Sequence, residues 1–528
     1  MGDGEGRGSQ DPAAPHPADL VRDPGAAHEQ ALQRLSEGRL AEAESLFRGL
    51  REVLGPAGRL VVEQNLAVLE WRRGNFAASW RWVRSVMTRR PRQGADLARR
   101  LAFHAQLFGV HDIFWTALAA SRSLAPEDLR AWSMAHVAAD FRGAPAEHRT
   151  LKALPDSLRQ PRHRKPRSGP APRRIALVIS DLGSFSRMFQ PFVRLRQLGF
   201  DLSWIHLVEQ DGGGEGNLPE GEALSVPGRD AQAQVAAIEA SDPDVVIDLA
   251  SHSQPDVLAA YCQCDSPLLL GWAGNAVTSG TGFFDGWLTD ASLCPPGAER
   301  HYAEPVIRLP VTSVTVEPIG EYPQAGVLPL DRNGHVTFGS FHRICKISTE
   351  ALDLWAELLR AQADARLLMK APFLDDMAAA SRIRDAFKER GIPSWRIDLR
   401  GGSDQDAHRA AMQAVDVALG GFPEQGLVTD FECFMLGVPT VSLRVDDRPC
   451  ACLSDLLSRA AGAPFLVTRR PRDYLERALG LAGDAGYLRQ ARQCYRENIL
   501  SSGITDHTAT ASAMGEAIRQ LWSGAAGG

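Results

Sequence analysis

One stretch of the chain, residues 415–443, combines residue types that can bind an anion. It reads as a short apolar strand, a turn, a helix that starts near Leu427 or Val428, and a second strand. The turn holds four residues that interrupt regular structure, namely Gly420, Gly421, Pro423 and Gly426. Backbone N–H groups at such a helix start favour an anion, and glycine lets a phosphate approach closely. Glu432, about one turn further along, is placed to accept hydrogen bonds from a ribose; an ordinary βαβ unit without a ligand is the alternative.

Lys346 is the second residue whose position indicates chemistry. It lies in a loop between a strand over residues 335–341 and a helix that Ser348 can cap. Loops that follow parallel strands gather at the carboxyl edge of the sheet, where α/β proteins bind ligands. We therefore expect Lys346 and the turn before residue 427 at one edge, holding one diphosphate from two sides. The alternative is a surface lysine paired with a nearby carboxylate such as Glu350.

The elements that position these residues are α/β in character. From residue 174 onward, short apolar strands alternate with helices, which predicts open, doubly wound sheets. We expect two lobes facing a cleft, an N-terminal lobe at 173–328 and a C-terminal lobe at 329–528. The helix after Thr505 has an apolar stripe and is expected to pack back across the first lobe. The sequence DPD at 242–244 precedes a strand and is interpreted as a turn rather than a metal site.

Ahead of the lobes, residues 25–153 look repetitive. Glycines at 38, 74, 109 and 143 recur about every 35 residues between helical patterns, close to the tetratricopeptide period of about 34 residues. Stacked helical pairs of this kind can hold a polypeptide, although a helical domain that only supports the next one is an equal alternative. Residues 1–24 have the composition of a disordered tail, and residues 154–172 are interpreted as a basic, proline-rich linker.

Composition excludes several classes of protein. The 528-residue chain has 58 Lys and Arg against 64 Asp and Glu, a net charge of −6, so no basic field indicates nucleic acid. Two CxC pairs, at 262/264 and 450/452, lack zinc-site spacing and are interpreted as reduced, packed thiols. No apolar run reaches the roughly 18 residues of a membrane span, and the first residues show no apolar signal core. A cytoplasmic location is the expectation.

Three blocks of the sequence resemble the catalytic region of the O-GlcNAc transferase family, which has bacterial relatives in the adhesin N-glucosyltransferases. In chain order they are GWAGNAVTSGTGFFDGWLTD, FGSFHRICKISTEALDLWAELL and GGFPEQGLVTDFECFMLGVPTVSL. The resemblance covers about residues 172–520. The helical repeats ahead of it reproduce the family's order of a tetratricopeptide region followed by a catalytic region.

The resemblance implies a two-Rossmann (GT-B type) fold and a protein glycosyltransferase, with the N-terminal lobe on the acceptor side and the C-terminal lobe binding the nucleotide-sugar. The implied reaction transfers GlcNAc or glucose from a UDP-sugar to a Ser, Thr or Asn side chain, without metal or other cofactor, on a polypeptide held by the repeats and the cleft. Carried over residue by residue, Lys346 is the catalytic lysine at the diphosphate, His408 lies at the nucleobase, and Glu432 lies at the ribose. The phosphate-binding helix start comprises Gly426, Leu427, Val428 and Thr429. Arg343 joins the donor site, and a possible donor or acceptor loop comprises Asp181, Gly183 and Gly274.

Several positions differ from the family pattern. Phe185 stands where the family has a histidine, Leu427 and Val428 replace a histidine and a threonine, and Cys345 replaces a tyrosine. These differences leave open a transfer to a small molecule or glycan, and a catalytically silent repeat scaffold. Two further polar candidates near the cleft are His342 and Lys370, of which His342 is expected on an exposed surface loop.

Overall fold

The computed structural model describes residues 22–142, 150, 153–162, 169–180, 184–208, 223–266, 268–324 and 326–524. Most of the tail predicted at 1–24 lies outside these residues, as do Asp181, Gly183 and part of the linker predicted at 154–172. The chain divides into two compact units, Met1–Pro126 and Glu127–Gly528. None of the helices in these ranges is long and apolar enough to cross a membrane.

The described part of the first unit consists of helical pairs. Its helices are α1 (Pro24–Ser36), α2 (Leu40–Val53), α3 (Pro56–Arg72), α4 (Phe76–Arg89), α5 (Pro91–Leu107) and α6 (His111–Leu124). Gly38, Gly74 and Gly109 each join the two helices of a pair with φ values of 75°, 74° and 69°. Because side chains strain this left-handed conformation, glycine recurs at the same place in each pair.

The next helix, α7 (Leu129–Arg142), belongs to the second unit. The repeat period places it with the helices before it. Its Trp132 is fully buried in a core that also contains Tyr261 and Phe284 of the first α/β lobe. This aromatic packing explains why the helix lies with the lobe.

Two parallel sheets form the framework of the second unit. The seven strands of the first sheet are β1 (Arg174–Ile179), β2 (Asp201–Val208), β3 (Ala223–Pro227), β4 (Val245–Asp248), β5 (Leu268–Trp272), β6 (Gly286–Asp290) and β7 (Val306–Leu309). They are ordered β3-β2-β1-β4-β5-β6-β7. The second sheet contains β8 (Thr337–Ser340), β9 (Arg366–Lys370), β10 (Ile397–Arg400), β11 (Val417–Leu419), β12 (Thr440–Leu443) and β13 (Val467–Thr468). Its order is β10-β9-β8-β11-β12-β13, so two separate lobes are present.

Helices follow the strands of both sheets. The first lobe contains α8 (Gln190–Arg194), α9 (Ala231–Ala240) and α10 (Asp256–Gln263). The helices from α11 to α18 are Pro329–Asn333, Thr349–Ala361, Met377–Glu389, Gln405–Gln413, Val428–Met435, Leu453–Ala460, Pro471–Ala482 and Ala485–Leu500. Most of these strands are short and apolar and are buried on both faces, which suits a parallel sheet.

The last helix, α19 (His507–Ser523), returns to the first lobe. Its Met514, Ile518 and Trp522 are buried, as the apolar stripe predicts. Thr510 Oγ1 donates to the carbonyl of Thr312 at 2.9 Å, and Arg519 Nη2 donates to the carbonyl of Leu198 at 2.8 Å. The expectation that this helix covers the first lobe is confirmed.

Candidate active site

Two loops meet at the carboxyl edge of the second sheet. Because β8 and β11 are parallel neighbours, the loop after β8 and the turn after β11 leave the sheet side by side. Lys346 lies in the first loop and Glu424 in the turn, and their side chains form an ion pair in which only 19% and 8% of the side-chain surfaces are exposed. The partner of Lys346 is thus a residue of the turn, whereas Glu350, the alternative partner, is exposed on α12.

Gln425 holds the turn in place. Its backbone N–H donates to the carbonyl of Cys450 at 3.0 Å, and its side-chain oxygen accepts from the N–H of Ser454 at 2.7 Å. The side-chain nitrogen donates to the carbonyl of Leu443 at 3.4 Å. These bonds tie the turn to the end of β12 and to α16, so Glu424 projects from a well-anchored backbone.

Gly426 lies directly over a buried pair, His342 and Asp430. A Cβ at this position would lie 2.8 Å from Asp430 Oδ1 and 2.9 Å from His342 Cε1, so a larger residue would have to displace them. The helix α15 starts at Val428, where it was expected, and Leu427 gives it no side-chain cap. The first N–H groups of the helix therefore have no capping side chain at this position and can bind an anion.

Burial shifts both members of this pair toward their neutral forms. His342 Nε2 lies 3.8 Å from Asp430 Oδ1. Burial, reinforced by the Lys346 ammonium, lowers the pKa of His342 to about 3. Burial raises the pKa of Asp430 to about 7, although the Ser454 hydroxyl and Lys346 favour its carboxylate. The expectation of an exposed loop for His342 is wrong: the residue is 4% exposed, because its loop packs beneath the turn.

When the pH rises from 5 to 8, the parent protein is expected to lose about 1–3 kcal/mol more stability than the variant Asp430→Asn, which cannot ionise at this position. The folded pKa of about 7 lies above the ordinary value of 3.8, so the folded state binds the proton more tightly. The parent protein therefore loses stability as the pH rises from the ordinary pKa of 3.8 through the folded pKa of about 7. Melting curves of parent and variant at pH 5 and pH 8 give the stability difference between the two proteins at each pH. An equal difference at both pH values would contradict the raised pKa of Asp430.

Glu432 lies in a hydrogen-bonded cluster further along α15. Its Oε1 accepts from Arg187 Nη1 at 2.9 Å and from Gln405 Nε2 at 2.7 Å. His408 Nε2 lies 3.7 Å from Oε2. Burial lowers the pKa of His408, and the Glu432 carboxylate acts in the opposite direction. The structure thus brings together the two residues that the resemblance places at the nucleobase and the ribose.

The other sequence-derived residues have different surroundings. Arg343 is exposed, and Lys370 Nζ donates to the carbonyl of Gly401 at 3.0 Å. A Cβ at Gly274 would lie 2.2 Å from the ring of Trp272, so packing alone requires glycine there. Asp181 and Gly183 fall outside the described residues.

Sequence reasoning missed three partners in the site. For Glu424, the one available signal was its place in the turn between Pro423 and Gly426. Asp430 lies in the first turn of α15, a position that acidic residues commonly occupy. No sequence pattern indicates Arg187, which is 245 residues away from Glu432 along the chain.

Within the described ranges, no group of three His, Cys, Asp or Glu side chains is arranged to hold a metal ion. The DPD sequence lies at the amino end of β4, away from the site. There Asp242 pairs with Arg174, and Asp244 accepts from the N–H of Arg173 at 2.8 Å. All four cysteines of the CxC pairs are buried.

Comparison with solved structures defines the class of fold. An O-GlcNAc transferase mutant from Thermobaculum terrenum superposes with a TM-score of 0.75, covering 97% of this chain and 98% of that one at 23% identity. The chain therefore has a GT-B fold of the O-GlcNAc transferase type, with a helical region ahead of two Rossmann-like lobes.

Curated relatives carry related names. The barley protein called probable UDP-N-acetylglucosamine–peptide N-acetylglucosaminyltransferase SPINDLY is 28% identical over 282 residues, which is 53% of this chain and 30% of the relative. A Caenorhabditis elegans UDP-N-acetylglucosamine–peptide N-acetylglucosaminyltransferase is 25% identical over 188 residues, 35% of this chain and 16% of the relative. The matches span less than a third of these relatives, and no family model matches. The resemblance to O-GlcNAc transferases seen in the sequence is confirmed by these similarities.

Proposed function

We propose that this protein transfers a hexosyl group, GlcNAc or glucose, from a UDP-sugar to a Ser, Thr or Asn side chain of a polypeptide. The observation that carries the proposal is the position of Lys346, whose ammonium lies beside the glycine-rich turn and the start of α15. The names of the similar proteins support a nucleotide-sugar donor and a peptide acceptor. The helical pairs of the first unit are proposed to bind part of the acceptor polypeptide.

The proposed transfer exchanges one bond at the anomeric carbon. The bond from this carbon to the diphosphate oxygen breaks, and the diphosphate leaves with the electron pair. The acceptor oxygen or nitrogen bonds to the carbon, and its proton passes to the departing diphosphate or to solvent. Because negative charge builds on the leaving diphosphate, Lys346 and the helix-start N–H groups stabilise the transition state more than the ground state. The diphosphate would compete with Glu424 for the ammonium, since both are anions.

A thermal-shift panel of UDP- and GDP-sugars tests donor binding, and intact-mass analysis of a co-expressed acceptor protein tests transfer. We expect a UDP-sugar to raise the melting temperature and the acceptor to gain one hexose or N-acetylhexosamine mass. Donor hydrolysis without a protein adduct would favour a small-molecule or glycan acceptor. Absence of nucleotide binding would favour the silent scaffold, which the apolar Leu427 and Val428 at the helix start also favour.

Chelation is expected to leave sugar transfer unchanged. In the proposed site, the Lys346 ammonium and the helix start supply the positive potential that a bound divalent cation can supply to a departing anion. Initial rates measured with EDTA, and again with added Mg²⁺ or Mn²⁺, provide the comparison. Activity that is lost with EDTA and returns with metal would contradict this mechanism.

A further inference from the structure

Arg187 crosses from the first lobe into the donor site of the second. It belongs to the short helical segment Ser184–Met188, which lies after β1. Each nitrogen of its guanidinium has a partner: Nη1 donates to Glu432 Oε1 at 2.9 Å, Nη2 to the Tyr322 hydroxyl at 2.7 Å, and Nε to the carbonyl of Glu317 at 3.1 Å. The side chains of Arg187 and Glu432 are each only 6% exposed.

The contact fixes one oxygen of Glu432 and leaves the other available. Oε1 already accepts from both Arg187 and Gln405. No described residue donates a hydrogen bond to Oε2, and His408 Nε2, at 3.7 Å, lies beyond bonding distance. A carboxylate held in this way is oriented and able to accept one or two hydroxyl hydrogens at Oε2.

The geometry points to Arg187 as a positioning residue for the nucleoside of the donor, contributed by the lobe opposite the nucleotide-binding one; this inference rests on the proposed function. A ribose presents hydroxyl donors, and a buried carboxylate accepts them well only if its charge is balanced and its orientation is fixed. Arg187 provides both through Oε1. Recognition of the nucleoside therefore requires the two lobes to be in this arrangement, whereas the diphosphate binds to the second lobe alone.

Calorimetric titration of UDP, GDP and inorganic pyrophosphate into the full-length chain separates these contributions. We expect Arg187→Met to raise the Kd of the preferred nucleoside diphosphate about tenfold or more, the scale of one charge-assisted hydrogen bond. The Kd of pyrophosphate, which has no ribose, should stay within about twofold. Arg187 bonds to Glu432, Tyr322 and Glu317 and to none of the described residues in the turn after β11, so its replacement leaves that turn intact. In the double variant Arg187→Met/Glu432→Gln, nucleoside affinity should match that of Glu432→Gln alone, because Arg187 acts through Glu432.

Arg396→Met is the matched control. Arg396 directly precedes β10 and is as buried as Arg187. It donates to the carbonyls of Ala365 and Leu359. Its loss should lower the melting temperature without changing the ratio of the two affinities. A parental nucleoside affinity in Arg187→Met, or an equal loss of nucleoside and pyrophosphate binding, would overturn the role of Arg187. A parent protein that binds none of the three probes would instead overturn the proposed function, and this inference with it.

Discussion

Lys346→Ala is expected to slow sugar transfer by about 10²–10³, equivalent to about 3–4 kcal/mol of transition-state stabilisation. The ammonium lies beside the turn and the start of α15, where the charge of a departing diphosphate would develop. Lys346→Arg should not restore the full rate, because a planar guanidinium replaces a compact point charge. The measurement is sugar transfer, or donor hydrolysis when no acceptor is at hand, together with a melting curve for each variant.

The ion pair with Glu424 defines the control. Removing Lys346 leaves a buried carboxylate without its partner, so Lys346→Ala alone loses some stability as well as activity. The double variant Lys346→Ala/Glu424→Gln removes that unpaired charge and should melt closer to the parent, while its turnover stays low. Near-parental turnover in Lys346→Ala, or recovery of turnover in the double variant, would rule out a catalytic role for the lysine.

Glu432→Ala is expected to destabilise the fold by about 3–5 kcal/mol, the usual cost of removing one partner of a buried ion pair. The guanidinium of Arg187 would keep its bonds to Tyr322 and Glu317 but lose its counter-charge. Denaturant unfolding followed by fluorescence gives the free energy of unfolding directly, since the tryptophans of both lobes report on the core.

Two variants test the origin of that loss. Replacing both partners, as Glu432→Ala/Arg187→Met, should recover much of the stability, because no unpaired charge is left in the interior. Glu350→Ala, at an exposed position of α12, should stay within about 0.5 kcal/mol of the parent. If Glu432→Ala unfolds at the parental denaturant concentration, the pair contributes nothing to the fold.

The sequence was most informative where local patterns decide the outcome. Lys346 follows an apolar run and precedes a serine-capped helix, so its place at the carboxyl edge follows from strand and helix periodicity alone. The structure has the strand at β8 and the Ser348 hydroxyl accepting from the N–H of Ala351 at 3.1 Å. The start of α15 at Val428 was likewise readable from the glycines before it and the apolar spacing after it.

Partners chosen by tertiary packing were not readable. His342 was expected on a surface loop because it follows the end of a strand, yet the turn after β11 covers it. Arg187 meets Glu432 only because two lobes, each with its own sheet, come together around the cleft. The helix of Trp132 is a further example. The repeat period of about 34 residues assigns this helix to the repeats, whereas the Trp132 ring packs in one core with Tyr261 of the first lobe.

The return of α19 to the first lobe means that the chain passes between the lobes twice, once between β7 and β8 and once between α18 and α19. The two connections run together: the N–H of Val316 donates to the carbonyl of Ile504 at 2.8 Å, and Thr315 Oγ1 lies 2.7 Å from His507 Nδ1. Movements of one lobe against another are absorbed by a few residues in the connections between them. We therefore expect any opening of the cleft to bend the chain at these two paired connections, and a distance between one label on each lobe would follow it.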